Sequence, residues 1–147
     1  MGGSFSGPLS ERGLIISKDG FSYRLATTAG STAKMVAALE NSGSHAVRIS
    51  SVGAGPGTSE VQWSTYRTVP EGSTFGVDAP WRSFPATIPP HGTIRLLLTV
   101  RRPADCRQFI AHYGNPTDDG SLAVHWRSLL HTNTSYLQVL LVPLTIC

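Results

Sequence analysis

Thr93-Ile94-Arg95-Leu96-Leu97-Leu98-Thr99-Val100-Arg101 alternates apolar and polar residues, with Ile94, Leu96, Leu98 and Val100 on one side and Arg95, Thr99 and Arg101 on the other. Only Leu97 breaks the polar side. Side chains of a strand point alternately to its two faces, whereas helical spacing would scatter these arginines among the leucines. The stretch therefore predicts a β-strand that buries one face and shows the other to water.

The same alternation places strands at Phe21-Tyr23-Leu25, Val47-Ile49, Val61-Trp63 and Leu122-Val124-Trp126. Tyr136 to Leu144 is apolar on both sides, as expected of a strand covered on both faces, with Pro143 interrupting pairing near its end. Ser31 to Asn41 carries good helix formers, but Met35, Ala37 and Leu39 also alternate and the reversal at Asn41-Ser42-Gly43 leads straight into Val47-Arg48-Ile49. It reads as a strand. Turn chemistry falls between the runs, at Lys18-Asp19-Gly20, Asn41-Ser42-Gly43, Pro89-Pro90-His91-Gly92, Asp118-Asp119-Gly120 and His131-Thr132-Asn133. Strands punctuated in this way, without intervening helices, give an all-β fold of antiparallel sheets closed into a sandwich or barrel.

With 147 residues, 40% of them hydrophobic, the chain suits one domain, assigned here to residues 13–147. Residues 1–12, beginning Met1-Gly2-Gly3-Ser4, read as a tag remnant and flexible lead. The stretch from Pro70 to Pro90 contains Phe75, Trp81 and Phe84, too aromatic for a linker, and is expected to lie as an ordered excursion on the sandwich. No run approaches the ~18 apolar residues of a membrane-spanning helix. The net charge of +3 comes mostly from arginines spread along the chain rather than clustered with aromatics, which argues against nucleic acid. Such a surface still favours anionic envelope polymers or lipid headgroups weakly. Cys106 and Cys147 fit one disulfide in an oxidising compartment, the alternative being two buried thiols in a cytosolic protein. The disulfide is the favoured reading, because it would anchor a terminal strand where fraying begins.

Three segments carry a family resemblance: Leu39 to Ile49 with its Asn-x-Gly reversal and Val-x-Ile strand, Ile88 to Leu96 with a proline-glycine turn before a hydrophobic strand, and Arg102-Pro103-Ala104-Asp105-Cys106 after that strand. The chain resembles the immunoglobulin-like domains in extracytoplasmic parts of bacterial membrane-anchored proteins and lipoproteins. The resemblance covers roughly Gly13 to Cys147 and implies an immunoglobulin-like antiparallel β-sandwich of about seven to nine strands. It also implies a secreted or membrane-anchored setting. The antibody arrangement of two cysteines bridging the sheets around a tryptophan is absent, since both cysteines lie in the second half.

Catalytic and cofactor chemistry finds little support. His45, His91, His112, His125 and His131 show no metal-ligand spacing, and no metal or other cofactor is expected. Gly53 to Ser59 lacks the Lys-Ser/Thr ending and following helix of a phosphate loop, and no Gly-x-Ser-x-Gly elbow occurs. Trp63, Tyr66 and Trp81 form a candidate binding platform if they share an exposed face; the competing reading puts Trp63 in the core and Trp81 against its own loop. Asn133-Thr134-Ser135 matches the glycosylation pattern, relevant only in a eukaryotic secretory protein. The sequence is thus expected to be a non-catalytic interaction or scaffolding module outside the cytoplasm, its partner another protein or a cell-envelope component. The alternative is a carbohydrate-binding accessory domain that uses exposed aromatics.

Overall fold

Two strands with the apolar period lie side by side along their whole length. β4 (Thr32–Glu40) and β8 (Thr93–Arg101) pair antiparallel from Thr32↔Arg101 to Glu40↔Thr93 without a register break. The computed structural model of the chain describes residues 1–8, 13–20, 22–55, 57–65, 80–114, 117–118, 120–138 and 143–147. Its remaining strands are β1 (Gly2–Pro8), β2 (Leu14–Ile16), β3 (Tyr23–Leu25), β5 (Val47–Ala54), β6 (Thr58–Thr65), β7 (Ala86–Ile88), β9 (Thr117–Asp118), β10 (Ser121–Ser128), β11 (His131–Gln138) and β12 (Leu144–Thr145). A helix, α1 (Cys106–Tyr113), separates β8 from β9.

The described strands form three four-stranded sheets, ordered β1-β4-β8-β6, β11-β10-β5-β7 and β2-β3-β12-β9. Pairing is antiparallel except between β12 and β3. The chain passes from the first sheet to the second between β4 and β5, returns for β6, crosses again for β7 and returns for β8. Inward-facing residues of all three sheets meet in one core: Met35, Leu39, Leu96 and Leu98 from the first, Ile49, Ile88 and Val124 from the second, Leu25 and Leu144 from the third. Each large aliphatic buried in this way contributes on the order of 1.5–3 kcal/mol. The protein is therefore all-β, with strands of the expected alternation and more of them, in more sheets, than the sequence implied.

Several expectations need correction. The outer side of β8 is not open to water: Arg95 is only 5% exposed and Leu97 3%, with Val36 and Ala38 of β4 and Ser64 of β6 also buried. The strand is covered on both faces, and Arg95 meets this by laying its guanidinium over the Trp81 ring, 5.8 Å from the centroid. Gly2–Pro8 is not a lead but β1, paired from Gly2↔Glu40 to Pro8↔Met35 along the edge of β4. Backbone hydrogen bonds need no side-chain pattern, so a Gly-Gly-Ser start can still complete a sheet. Tyr136 opens no doubly covered strand, being 79% exposed near the end of β11, while residues 139–142 lie outside those described. Much of the 70–90 excursion also lies outside them, apart from residues 80–90.

α1 was not expected either. Asp105 caps it, its side chain accepting from the Arg107 and Gln108 amides at 3.0 and 3.2 Å, and Gly114 ends it in the left-handed region at φ 72°. Cys106, at its first position, is bonded to Cys147, with Cα atoms 5.7 Å apart across 41 residues of sequence. Arg102 Nη1 also donates to the Ile146 carbonyl at 3.1 Å, so the chain end is held at two places. Among the described residues no helix is long and apolar enough to cross a membrane.

Closing a loop of this length removes unfolded-state entropy worth about 3–4 kcal/mol. Replacing both cysteines by serine should lower the unfolding free energy by about that amount in denaturant titrations. A loss below about 0.5 kcal/mol would mean that Arg102 and the burial of Ile146 anchor the end without help.

Candidate functional site

Of the three aromatics singled out by sequence, the two that are described, Trp63 and Trp81, do not share a face. Trp63 on β6 pairs in register with Leu96 and packs against the core, its Nε1 donating to the Ser83 carbonyl at 2.9 Å. Residues 81–83 run along the free edge of β6, where Trp63 and Arg82 exchange backbone hydrogen bonds of 2.9 and 2.8 Å. Arg82 lies over the Trp63 ring, 5.7 Å from its centroid. Trp81 instead meets Arg95, whose neighbour Leu96 points into the core, so the two tryptophans serve opposite faces of one sheet. Tyr66 lies outside the described residues. Both rings are engaged by the protein's own guanidinium groups.

A different surface stands out when the sheets are compared by charge. β5, β7, β10 and β11, of sequences VRISSVGA, ATI, SLAVHWRS and HTNTSYLQ, contain no aspartate or glutamate. Their inward residues, including Ile49, Ile88, Leu122 and Val124, enter the core. The outward set is exposed: Arg48, Ser51 and Gly53 from β5, Thr87 from β7, His125 and Arg127 from β10, and Thr132, Thr134 and Tyr136 from β11. The surface is hydroxyl-rich and cationic.

Register concentrates the charge. Arg48 and Arg127 are direct cross-strand partners, and Arg127 is paired on its other side with Thr132. Like charges directly opposite each other destabilise a sheet. Among the described residues neither guanidinium has a carboxylate partner. Farther along, Ser51 lies opposite His125, whose Nδ1 is 2.9 Å from Thr134 Oγ1. A β-bulge at Ser50 interrupts the register between these two rows, and its hydroxyl donates to the His125 carbonyl at 3.1 Å. The bulge twists the sheet locally and separates the arginine row from the histidine row.

At the end of this sheet a shallow cavity of about 290 Å³ opens between residues 41–45 and the inner side of β10, lined by Trp126 and Ser128 among others. Its best-placed polar group is fully used. Asn41, 3% exposed, donates through Nδ2 to the carbonyls of His45, Ile88 and Pro89 at 2.8, 3.2 and 3.1 Å, and its Oδ1 accepts from the Gly43 amide at 3.0 Å. The cavity thus sits beside a structural tie rather than a reactive group. No three His, Cys, Asp or Glu side chains gather to hold a metal among the described residues.

Sequence reasoning followed aromatics and histidines and missed this face. The available signal was a negative one: Gly120 to Cys147 and Asn41 to Ser59 contain no acidic residue in a chain with nine. No family model matches the chain, and no curated protein matches it closely enough to count as a relative.

Removing one charge of the Arg48–Arg127 pair should relieve the like-charge repulsion. Arg127→Thr is expected to hold or raise stability at low salt, by up to about 1 kcal/mol, with the gain fading as salt is added. A loss of about 1 kcal/mol or more in urea unfolding would instead assign Arg127 a structural role.

Proposed function

We propose that this protein is a non-catalytic interaction module, an immunoglobulin-like sandwich displayed outside the cytoplasm, that holds an anionic partner against the open face of the β11-β10-β5-β7 sheet. The observation that carries the reading is the direct opposition of Arg48 and Arg127 on an exposed sheet without a single acidic residue in its strands. An anionic surface laid across these strands would convert the repulsion into two charge-assisted contacts, with the surrounding hydroxyls and Tyr136 adding neutral hydrogen bonds.

The Cys106–Cys147 disulfide supports the extracytoplasmic part, since such bonds persist in oxidising compartments. The apolar core shared by facing sheets supports the sandwich, on which the third sheet and α1 are additions. The partner is then a protein with an acidic face or a polyanionic component of the cell envelope. A carbohydrate-binding accessory role would need ring faces side by side; Tyr136 is the one aromatic on this open face among the described residues.

Poly-glutamate and polyphosphate serve as soluble stand-ins for the two partner types. Both should bind at low ionic strength, with affinity falling as salt rises. Arg48→Glu with Arg127→Glu should weaken binding by about tenfold or more, equivalent to about 1.4 kcal/mol. The same charge change at exposed Arg24 and Arg107, on β3 and α1, should have little effect. Equal losses in the two double variants would reduce the effect to net charge and reject the face as a site.

A further inference from the structure

The β10–β11 hairpin is closed by two leucines. Ser128↔His131 is its last pair, so Leu129 and Leu130 alone form the connection. Leu129 has φ 52°, in the left-handed region, where two-residue hairpins ordinarily place Gly, Asn or Asp. Neither side chain is repaid by packing: Leu129 is 68% exposed and Leu130 96%. The backbone at Leu129 therefore favours another residue, Leu130 gains nothing from packing, and two leucines displayed at a tip have their use outside the chain.

The setting of the tip indicates what that use is. Arg127 lies two residues before Leu129 with Arg48 beside it across the ladder, and His131 follows Leu130 directly. No strand of the sheet contributes an acid. An apolar point backed by cations matches the interface of an anionic bilayer, where apolar side chains enter the acyl boundary and guanidinium groups meet phosphates. Two leucines offer too little apolar area to hold a protein on neutral lipid, so insertion and charge must act together.

We propose that the Leu129-Leu130 tip inserts into the surface of a bilayer containing acidic phospholipids, with Arg48 and Arg127 on the headgroups. This rests on the reading of the sheet as an anion-facing surface and names the bilayer as its anionic partner. The sheet would then stand on the membrane by one end, leaving Thr134 and Tyr136 farther from the lipid than the arginines.

The test is cosedimentation with vesicles of phosphatidylcholine, alone or mixed with phosphatidylglycerol, run beside poly-glutamate binding. The wild-type protein should bind only the mixed vesicles. Leu129→Asn with Leu130→Ser, in which Asn suits the left-handed backbone and no core contact is lost, should reduce vesicle partition by about tenfold or more and leave poly-glutamate binding unchanged. Arg48→Glu with Arg127→Glu should lose both. Vesicle binding untouched by the leucine substitutions would overturn insertion and leave electrostatic adsorption alone. Poly-glutamate binding without vesicle binding would overturn the bilayer as partner, keep the anion-facing sheet and direct the tip to an apolar pocket on a protein. Failure of both would reject the sheet reading together with the tip.

Discussion

The β4–β8 ladder, buried on both faces through its middle, is the constraint on which the rest of the molecule depends. Met35, Ala37, Leu39, Leu96 and Leu98 face the common core, while Val36, Ala38, Arg95 and Leu97 are buried on the other side. The ladder continues past the strand ends, where the Asn41 amide donates to the Gly92 carbonyl at 2.9 Å. The Asn41 side chain then ties the turn into β5 to the end of β7. Gly92 is needed at this junction, because a Cβ there would lie 2.6 Å from Pro89 Cγ. Together these contacts fix where β5 begins, and hence where Arg48 faces Arg127.

A division of labour between sheets follows. The first sheet is covered on both faces at its centre, around Val36, Ala38, Arg95 and Leu97, and supplies much of the burial; the second needs only its inner face for the core, which leaves its outer face free for other demands. Like-charge opposition and an exposed leucine turn are tolerable there because each is small beside the burial beneath them. The bulge at Ser50 adds a second device, changing which β5 residues face out on either side of it. Arg48 and Ser51 can therefore both point outward although an odd number of steps separates them.

Much of this fold was legible in the residues because burial of one face leaves a period-two trace. Thr93 to Arg101 reads as a strand with the observed bounds, and Ser31 to Asn41 reads as one through its alternating Met35, Ala37 and Leu39 despite a helix-like composition. The outer face of the same strand was not legible: Arg95 looks solvent-directed until Trp81, distant in sequence, is seen against it. The hairpin was misplaced for a related reason. His131-Thr132-Asn133 has the polar chemistry of a turn, yet the reversal occurs at Leu129-Leu130, where side-chain preference points elsewhere. α1 has its signals, Asp105 before it and Gly114 after it, but at eight residues it is too short to leave a clear helical period. The acid-free sheet required knowing which strands are neighbours, because no single segment displays the Arg48–Arg127 pairing.

Slow backbone exchange and available surface should therefore divide along the same line, with β4 and β8 as framework and the outer face of β5, β10 and β11 as contact surface. Hydrogen exchange, recorded with and without poly-glutamate at low salt, tests both halves in one measurement. The account predicts that β4 and β8 amides exchange most slowly in the free protein and that added protection appears in β5, β10 and β11. Protection induced instead along β6, α1 or the 80–90 segment would place binding elsewhere and contradict the account.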